Sequence, residues 1–311
     1  MNVLIDIVIP VFGIILTGYL SGHFNLLGRD SAAALNRFVF YFALPPALFI
    51  VMARAPIQQI FNWPFIGAFL GGSVLTLLIA LGAGRFWFRY QLAPLTIAGL
   101  SAAFGNVFMM GLPLLLTAYG PDGALPSIVA ALSITTLICA SIAALEIARV
   151  KGSLTLRVVS RSAGAIIRNP VVFSPLLGIL FAAFALPLPK AASKYLDLMA
   201  ASVAPTALFS LGLSLIGREV RGNTVEAIWL TILKVVANPI LAYALVTYVF
   251  IMEPLWSKAA IILSAMPIGA NPYIIAQQYN VHVETVSSAV VISTGISVVT
   301  ISLLLIWLGV H

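Results

Sequence analysis

The chain has 311 residues, of which 61% are hydrophobic and only 8% charged, with 16 Lys/Arg against 9 Asp/Glu and a net charge of +7. A soluble domain carries about 25% charged residues, and a globule this apolar would expose large sticky patches. A soluble fold is therefore excluded, and the bilayer must serve as solvent. The basic residues sit in short breaks between apolar runs, where membrane topology needs them, so the positive balance does not point to nucleic acid.

A membrane span needs about 20 mainly apolar residues. Cutting the chain at its polar and Pro/Gly-rich breaks predicts spans at 3–21, 32–52, 62–84, 93–118 and 125–147. After a basic connection at 151–166 come 167–187, 196–216, 225–250, 257–279 and 284–309. The start, Met1-Asn-Val-Leu-Ile-Asp6, lacks a basic n-region and a small-residue cleavage site, and reads as part of the first span. The single cysteine, Cys139, lies in an apolar run and reads as a packing residue; it leaves no internal disulfide and no cysteine-cluster metal site.

Ten spans place both termini on one side. The odd-numbered connections hold eleven basic residues (Arg29, Arg37, Arg85, Arg89, Arg149, Lys151, Arg157, Arg161, Arg168, Arg218 and Arg221). The even-numbered ones hold only Arg54, Lys190, Lys194 and Lys258. That excess predicts a multi-pass protein of the cell (inner) membrane with a cytoplasmic central loop and both termini outside.

The halves repeat. At an offset of 160 residues, Pro10–Leu20 lies over Pro170–Leu180 with five of eleven positions identical. At the same offset Leu44–Phe49 lies over Ala204–Phe209 with four of six identical. Five spans per half force the second copy (167–311) to enter the membrane from the side opposite the first (1–150), an inverted repeat. That architecture recurs in secondary transporters, with the substrate site between the halves.

Two corresponding spans carry breakers in mid-run. The fourth reads Ser101-Ala-Ala-Phe-Gly-Asn106-Val-Phe-Met-Met-Gly-Leu-Pro113, and the ninth Ser264-Ala-Met-Pro267-Ile-Gly-Ala-Asn271-Pro272. Free backbone groups facing lipid are very costly, and Pro both removes a donor and clashes with the preceding turn. Each span is expected to be two half-helices joined by an unwound stretch, at Gly105–Asn106 and at Pro267–Asn271, with Asn271-Pro272 as N-cap and first helical residue. The N-terminus of a half-helix carries roughly half a positive charge and unpaired N–H groups, so two such ends attract a carboxylate. Gly105, Asn106, Pro267, Gly269, Asn271 and Pro272 are the candidate substrate-binding residues.

Lys234, in Leu233-Lys-Val-Val-Ala-Asn-Pro239, is a cation inside a span, either facing protein and functional or snorkelling at the cytoplasmic end. Asn238-Pro239 reads as a kink or as part of a pathway. Lys234, Asn238, Gln277 and Gln278 form a possible ion or support site. Asp6 and Glu146 sit near span ends and read as interfacial. No Asp or Glu falls within spans 4 or 9, so no carboxylate-based proton relay is expected there, while a sodium site of neutral oxygens stays open. His23, His282 and His311 form no metal cluster, and no nucleophile–base set or phosphate loop is evident; no metal, cofactor or catalytic residue is expected.

Several stretches, taken together, resemble the auxin efflux carrier family and its short prokaryotic members: Asn36-Arg-Phe-Val-Phe-Tyr-Phe-Ala-Leu-Pro45, Asn106-Val-Phe-Met-Met-Gly-Leu-Pro-Leu-Leu115, Leu208-Phe-Ser-Leu-Gly-Leu213, and Pro267 through Tyr279-Asn-Val-His282 to Ser288-Ala-Val-Val291. The resemblance implies an all-α, bile-acid-symporter-like fold with crossing helices 4 and 9, an elevator-like mechanism, a homodimer among membrane lipids, and a malonate-, malate- or auxin-like anion. It implies that Asn106 and Pro267–Pro272 line the site, and that Pro10–Gly18 packs beside the scaffold. Gln277 and Gln278 stand where sodium-coupled cousins of the family place a glutamate. A sodium-dependent symporter of a larger amphipathic anion is the alternative, and a receptor or channel subunit the third class.

Overall fold

The computed structural model describes residues 4–149, 170–216 and 222–310. The central basic connection therefore lies outside the described residues, as do Arg218 and Arg221. In chain order the α-helices are α1 Ile9–His23, α2 Arg29–Phe38, α3 Leu44–Arg54, α4 Ile57–Ile60, α5 Trp63–Phe86, α6 Leu92–Ala103, α7 Leu112–Tyr119 and α8 Ala124–Arg149. There follow α9 Pro170–Ala183, α10 Lys190–Ala201, α11 Val203–Ser214, α12 Thr224–Ile232, α13 Asn238–Tyr248, α14 Pro254–Ser264, α15 Ala270–Tyr279 and α16 Val283–Trp307. Seven helical stretches are long and apolar enough to cross a membrane: Asp6–His23, Asp30–Arg54, Ile57–Phe86, Val107–Arg149, Lys190–Ser214, Thr224–Tyr248 and Val283–Trp307. The apolar helices α6 and α9 are shorter. The chain is a polytopic, all-helical membrane protein; among the described residues no strand forms beyond one isolated bridge.

Prolines explain a recurring irregularity. Turns of π-helix occupy Leu4–Val8, Val39–Ala43, Val107–Gly111 and Leu233–Ala237. Each is followed by an α-helix whose second residue is proline: Pro10, Pro45, Pro113 and Pro239. Proline offers no N–H to the carbonyl four residues back, and its ring presses on that turn. Widening one turn relieves the clash without ending the helix. Asn238-Pro239 is thus a local widening of a continuous helix, and Pro113 is not where the fourth span breaks.

The helices pack as two groups. In the first, α1 packs on α11, α3 on α9 and α10, and α2 on α11. In the second, α5 packs on α6, α8, α13 and α14; α12 packs on α16, α13 on α14, and α15 on α16 and α6. The groups meet where α7 and the Val107–Gly111 turn lie against α11, α7 also touches α1, and α8 touches α3. Each group draws helices from before and after the central connection, so neither half folds as a separate unit.

Two backbone approaches set the first group. A Cβ on Gly18 would overlap the Phe209 carbonyl, and one on Gly178 would lie 2.5 Å from the Phe49 carbonyl oxygen. Small residues at such crossings let helix backbones touch, which is how helices associate when lipid is as apolar as the side chains.

Candidate functional site

Helix α6 ends at Ala103 and the chain turns helical again only at Val107; α14 ends at Ser264 and α15 begins at Ala270. The two interruptions lie against each other. The Asn106 N–H donates to the Pro267 carbonyl at 2.8 Å, and the Gly269 N–H donates to the Phe104 carbonyl at 3.0 Å. Gly105 and Ile268 thereby form an antiparallel bridge. The Ile268 N–H donates to the Ser293 hydroxyl of α16 at 3.1 Å. Phe104, Met266 and Ile268 are buried, so each break satisfies backbone groups that the other would leave bare in an apolar interior.

Glycine is required at both breaks. A Cβ on Gly105 would lie 3.0 Å from Lys234 Cε, and one on Gly269 would lie 2.9 Å from the Phe104 ring. The approach of Lys234 is the larger surprise, since the sequence left it either inside the protein or snorkelling at an end. It is 1% exposed, and its Nζ donates to the Ser264 carbonyl at 2.5 Å, at the C-terminal end of α14. Asn238, one turn further along, is fully buried with both amide atoms unpaired, and the Ser264 hydroxyl is also buried and unpaired.

Each break opens onto a helix N-terminus. Gly111 and Met110 both donate to the Asn106 carbonyl, at 3.1 and 3.2 Å. The N–H groups of Phe108 and Met109, ahead of them in the turn, find no protein partner, nor do those of Ala270 and Asn271 opening α15. The Asn106 side chain is half-buried and that of Asn271 exposed. Such ends suit an anion: unpaired donors point outward and the helix dipole adds partial positive charge.

The candidate residues thus fall into three places. Gly105, Asn106, Pro267 and Gly269 meet at the paired breaks, with Lys234 against Gly105 and Asn238 one turn away. Asn271 and Pro272 lie in the first turn of α15, Asn271 exposed and Pro272 buried. Here the expectation needs correcting. The unwound stretch runs from Ala265 to Gly269, and Gly269 takes the N-cap position assigned to Asn271. The extended backbone of Gly269 is what its bond to Phe104 demands, and a longer α15 then keeps the following N–H groups in helix. Gln277 and Gln278 are exposed near the far end of α15, where Gln277 Nε2 donates to the Tyr273 hydroxyl at 2.8 Å.

Sequence reasoning passed over two carboxylate anchors beyond the breaks. Buried Glu226, on α12, accepts from the Tyr90 hydroxyl at 2.6 Å and lies 3.4 Å from His282 Nδ1. Burial and the bond to Glu226 raise the Tyr90 hydroxyl above the usual tyrosine range. Glu146, at the end of α8, accepts from the Tyr279 hydroxyl at 2.6 Å. Tyr90 immediately precedes the first broken stretch, while Tyr279 and His282 close the second, so these bonds fix the outer ends of both. Only their polarity within apolar surroundings could have drawn notice. Among the described residues no group of three His, Cys, Asp or Glu could hold a metal.

An all-helical membrane body with two interrupted helices, each presenting free N–H groups, defines a class: polytopic transport proteins. Residues 3–305 match the family model described as "Membrane transport protein", and the chain belongs to that family, which includes the auxin efflux carriers. It is 28% identical to the "Putative malonate transporter" of Rhizobium meliloti over 312 residues, covering 96% of this chain and 94% of that one. It is 26% identical to "Auxin efflux carrier component 8" of Arabidopsis thaliana, covering 94% of each. The "Lysosomal cholesterol signaling protein" of Mus musculus is 29% identical over 92% of this chain but only 35% of its own length.

Proposed function

We propose that this chain is a secondary carrier of a small organic carboxylate, malonate-, malate- or auxin-like, working by alternating access around the paired breaks. The observation that carries the reading is the pairing itself. Two buried interruptions complete each other's hydrogen bonds through Asn106–Pro267 and Gly269–Phe104, and each leaves N-terminal N–H groups unpaired. Asn106 and Asn271 add amide donors, and Lys234 adds positive charge behind Gly105 without touching the open side. The malonate and auxin names of two relatives agree with a carboxylate, while the third relative's name shows that substrates in this family vary.

Ten spans in two inverted five-helix halves follow if each interrupted helix counts as one span and α9 as a short one. Reciprocal crossings support this: Gly18 on Phe209 and Gly178 on Phe49 are the same contact displaced by 160 residues in both partners. The group holding α5–α8 and α12–α16 would then move against the other as an elevator, within a homodimer in the inner membrane. Around α7 the two groups are in contact, whereas the main neighbours of α15 lie within its own group. Its Asn271, Gln277 and Gln278 are exposed, and amides facing lipid would be costly. The site is therefore read as open along α15, the cytoplasmic side by the distribution of basic residues.

Counterflow of labelled malonate, malate and indole-3-acetate into proteoliposomes, with and without sodium, tests the reading beside an Asn106→Ala/Asn271→Ala double variant. Saturable flux of one anion, lost in the variant and indifferent to sodium, is expected. Flux unchanged in the variant would remove the site, and sodium-dependent flux would favour a symporter of a larger amphipathic anion on this fold.

A further inference from the structure

Lys234 raises a physical question that carboxylate binding does not answer. Its ammonium is buried, and among the described residues no carboxylate lies within ion-pair distance of it. An uncompensated buried cation is expensive. What faces it is a helix end: Nζ bonds to the Ser264 carbonyl, the last residue of α14, where unpaired carbonyls carry roughly half a negative charge. Helix C-terminal ends and unwound carbonyls inside broken transporter helices bind small cations.

Around that carbonyl stand groups that the ammonium leaves unused. The Ser264 hydroxyl and both amide atoms of Asn238 are buried with no partner. Nearly every other buried hydroxyl on these helices bonds back to its own backbone, as Thr231, Ser293, Thr294 and Ser297 do. Two neutral side-chain oxygens and a helix-terminal carbonyl form a ligand set that a hard monovalent cation accepts. We propose that Ser264 and Asn238 build a monovalent-cation site at the end of α14 and that the Lys234 ammonium fills it permanently, so that the chain carries its own cation and needs no dissolved one. The site does not depend on which substrate the chain carries.

Thermal unfolding of the purified protein in sodium, ammonium or choline chloride at equal ionic strength tests this. The wild type should unfold at the same temperature in all three. Lys234→Ala vacates the site, so sodium or ammonium should raise its midpoint above that in choline by about 2–4 °C. Adding Asn238→Leu to that variant should abolish the difference. Lys234→Ser runs in parallel in case the alanine variant does not fold. A sodium-specific rise in the wild type overturns the proposal, as does indifference of both single variants to sodium and ammonium. Because no substrate is present, failure to find anion counterflow would leave this result standing.

Discussion

Gly18 of α1 lies so close to the carbonyl of Phe209 in α11 that no side chain fits between them, and 160 residues along the chain Gly178 of α9 meets the carbonyl of Phe49 in α3 in the same way. The segments that match in sequence are thus the segments that touch. Pro10–Leu20 packs on the copy of Leu44–Phe49, and Pro170–Leu180 packs on the original.

Substituting either glycine should therefore damage the first helix group. Gly18→Leu or Gly178→Leu forces backbones apart, a change of about 1–3 kcal/mol or more for overpacking. Gly13→Leu, on the same helix as Gly18 but with nothing within 4 Å of its Cβ position, should be tolerated. Unfolding midpoints and the yield of monodisperse protein in detergent would separate the two cases.

At the breaks, Gly105→Ala should lower transport more than stability. The added methyl would press on Lys234 Cε at 3.0 Å, the movable part of a flexible side chain. The fold can yield there, but the ammonium would be displaced from the Ser264 carbonyl. A fall of about tenfold or more in initial counterflow rate, equivalent to roughly 1.4 kcal/mol, with a nearly unchanged melting midpoint is the expected pattern. Unaltered flux would show that the position of Lys234 does not matter.

The Tyr90–Glu226 bond should be felt strongly for its size. Glu226 is 1% exposed, and Tyr90→Phe leaves that carboxylate short of its best donor, a loss of about 1–3 kcal/mol. Glu226→Gln in the Tyr90→Phe background should recover part of the loss, because no charge then remains buried. Denaturation of the two single variants and the double variant measures the coupling.

The same bond predicts a pH dependence. The folded protein holds the Tyr90 hydroxyl above its unfolded range, chiefly through burial and then through Glu226. Its contribution is complete below the ordinary tyrosine value of about 10 and is lost as pH climbs toward the raised folded value. Stability of the wild type should fall more steeply above that pH than stability of Tyr90→Phe, and absorbance titration should show one fewer late-ionising tyrosine in the variant.

By contrast, the Arg54–Asp197 pair should matter little. Both its bonds are 2.8 Å, yet the side chains are half exposed, at 51% and 48%. Exposed pairs contribute about 0.2–1 kcal/mol and weaken with salt. Arg54→Ala should lower the melting midpoint slightly at low ionic strength and less in high salt.

Much of the molecule was legible before any coordinates. Apolar runs set off by basic connections require a membrane, because hydrophobic burial and backbone satisfaction act on each segment locally. Prolines inside those runs likewise act on their own turn, so interruptions near Gly105–Asn106 and Pro267 could be read directly. The shift of the α15 cap from Asn271 to Gly269 could not, since it depends on a hydrogen bond to Phe104, more than 160 residues away. Nor could proline alone separate a break from a widened turn, which is why Pro113 and Pro239 proved to sit in continuous helices.

Lys234 marks the boundary most clearly. Its position along the chain placed it inside a span and nothing more, because the energy of a buried charge is set by what surrounds it, not by its neighbours in sequence. Only the packing of α6, α14 and the Leu233–Ala237 turn decided that its ammonium meets the Ser264 carbonyl. The buried carboxylate of Glu226 is the same kind of case, paired to Tyr90 and His282 from two distant connections. Local chemistry made this chain a broken-helix membrane protein, while the charges at its centre were assigned their partners by long-range contacts that no short stretch of sequence encodes.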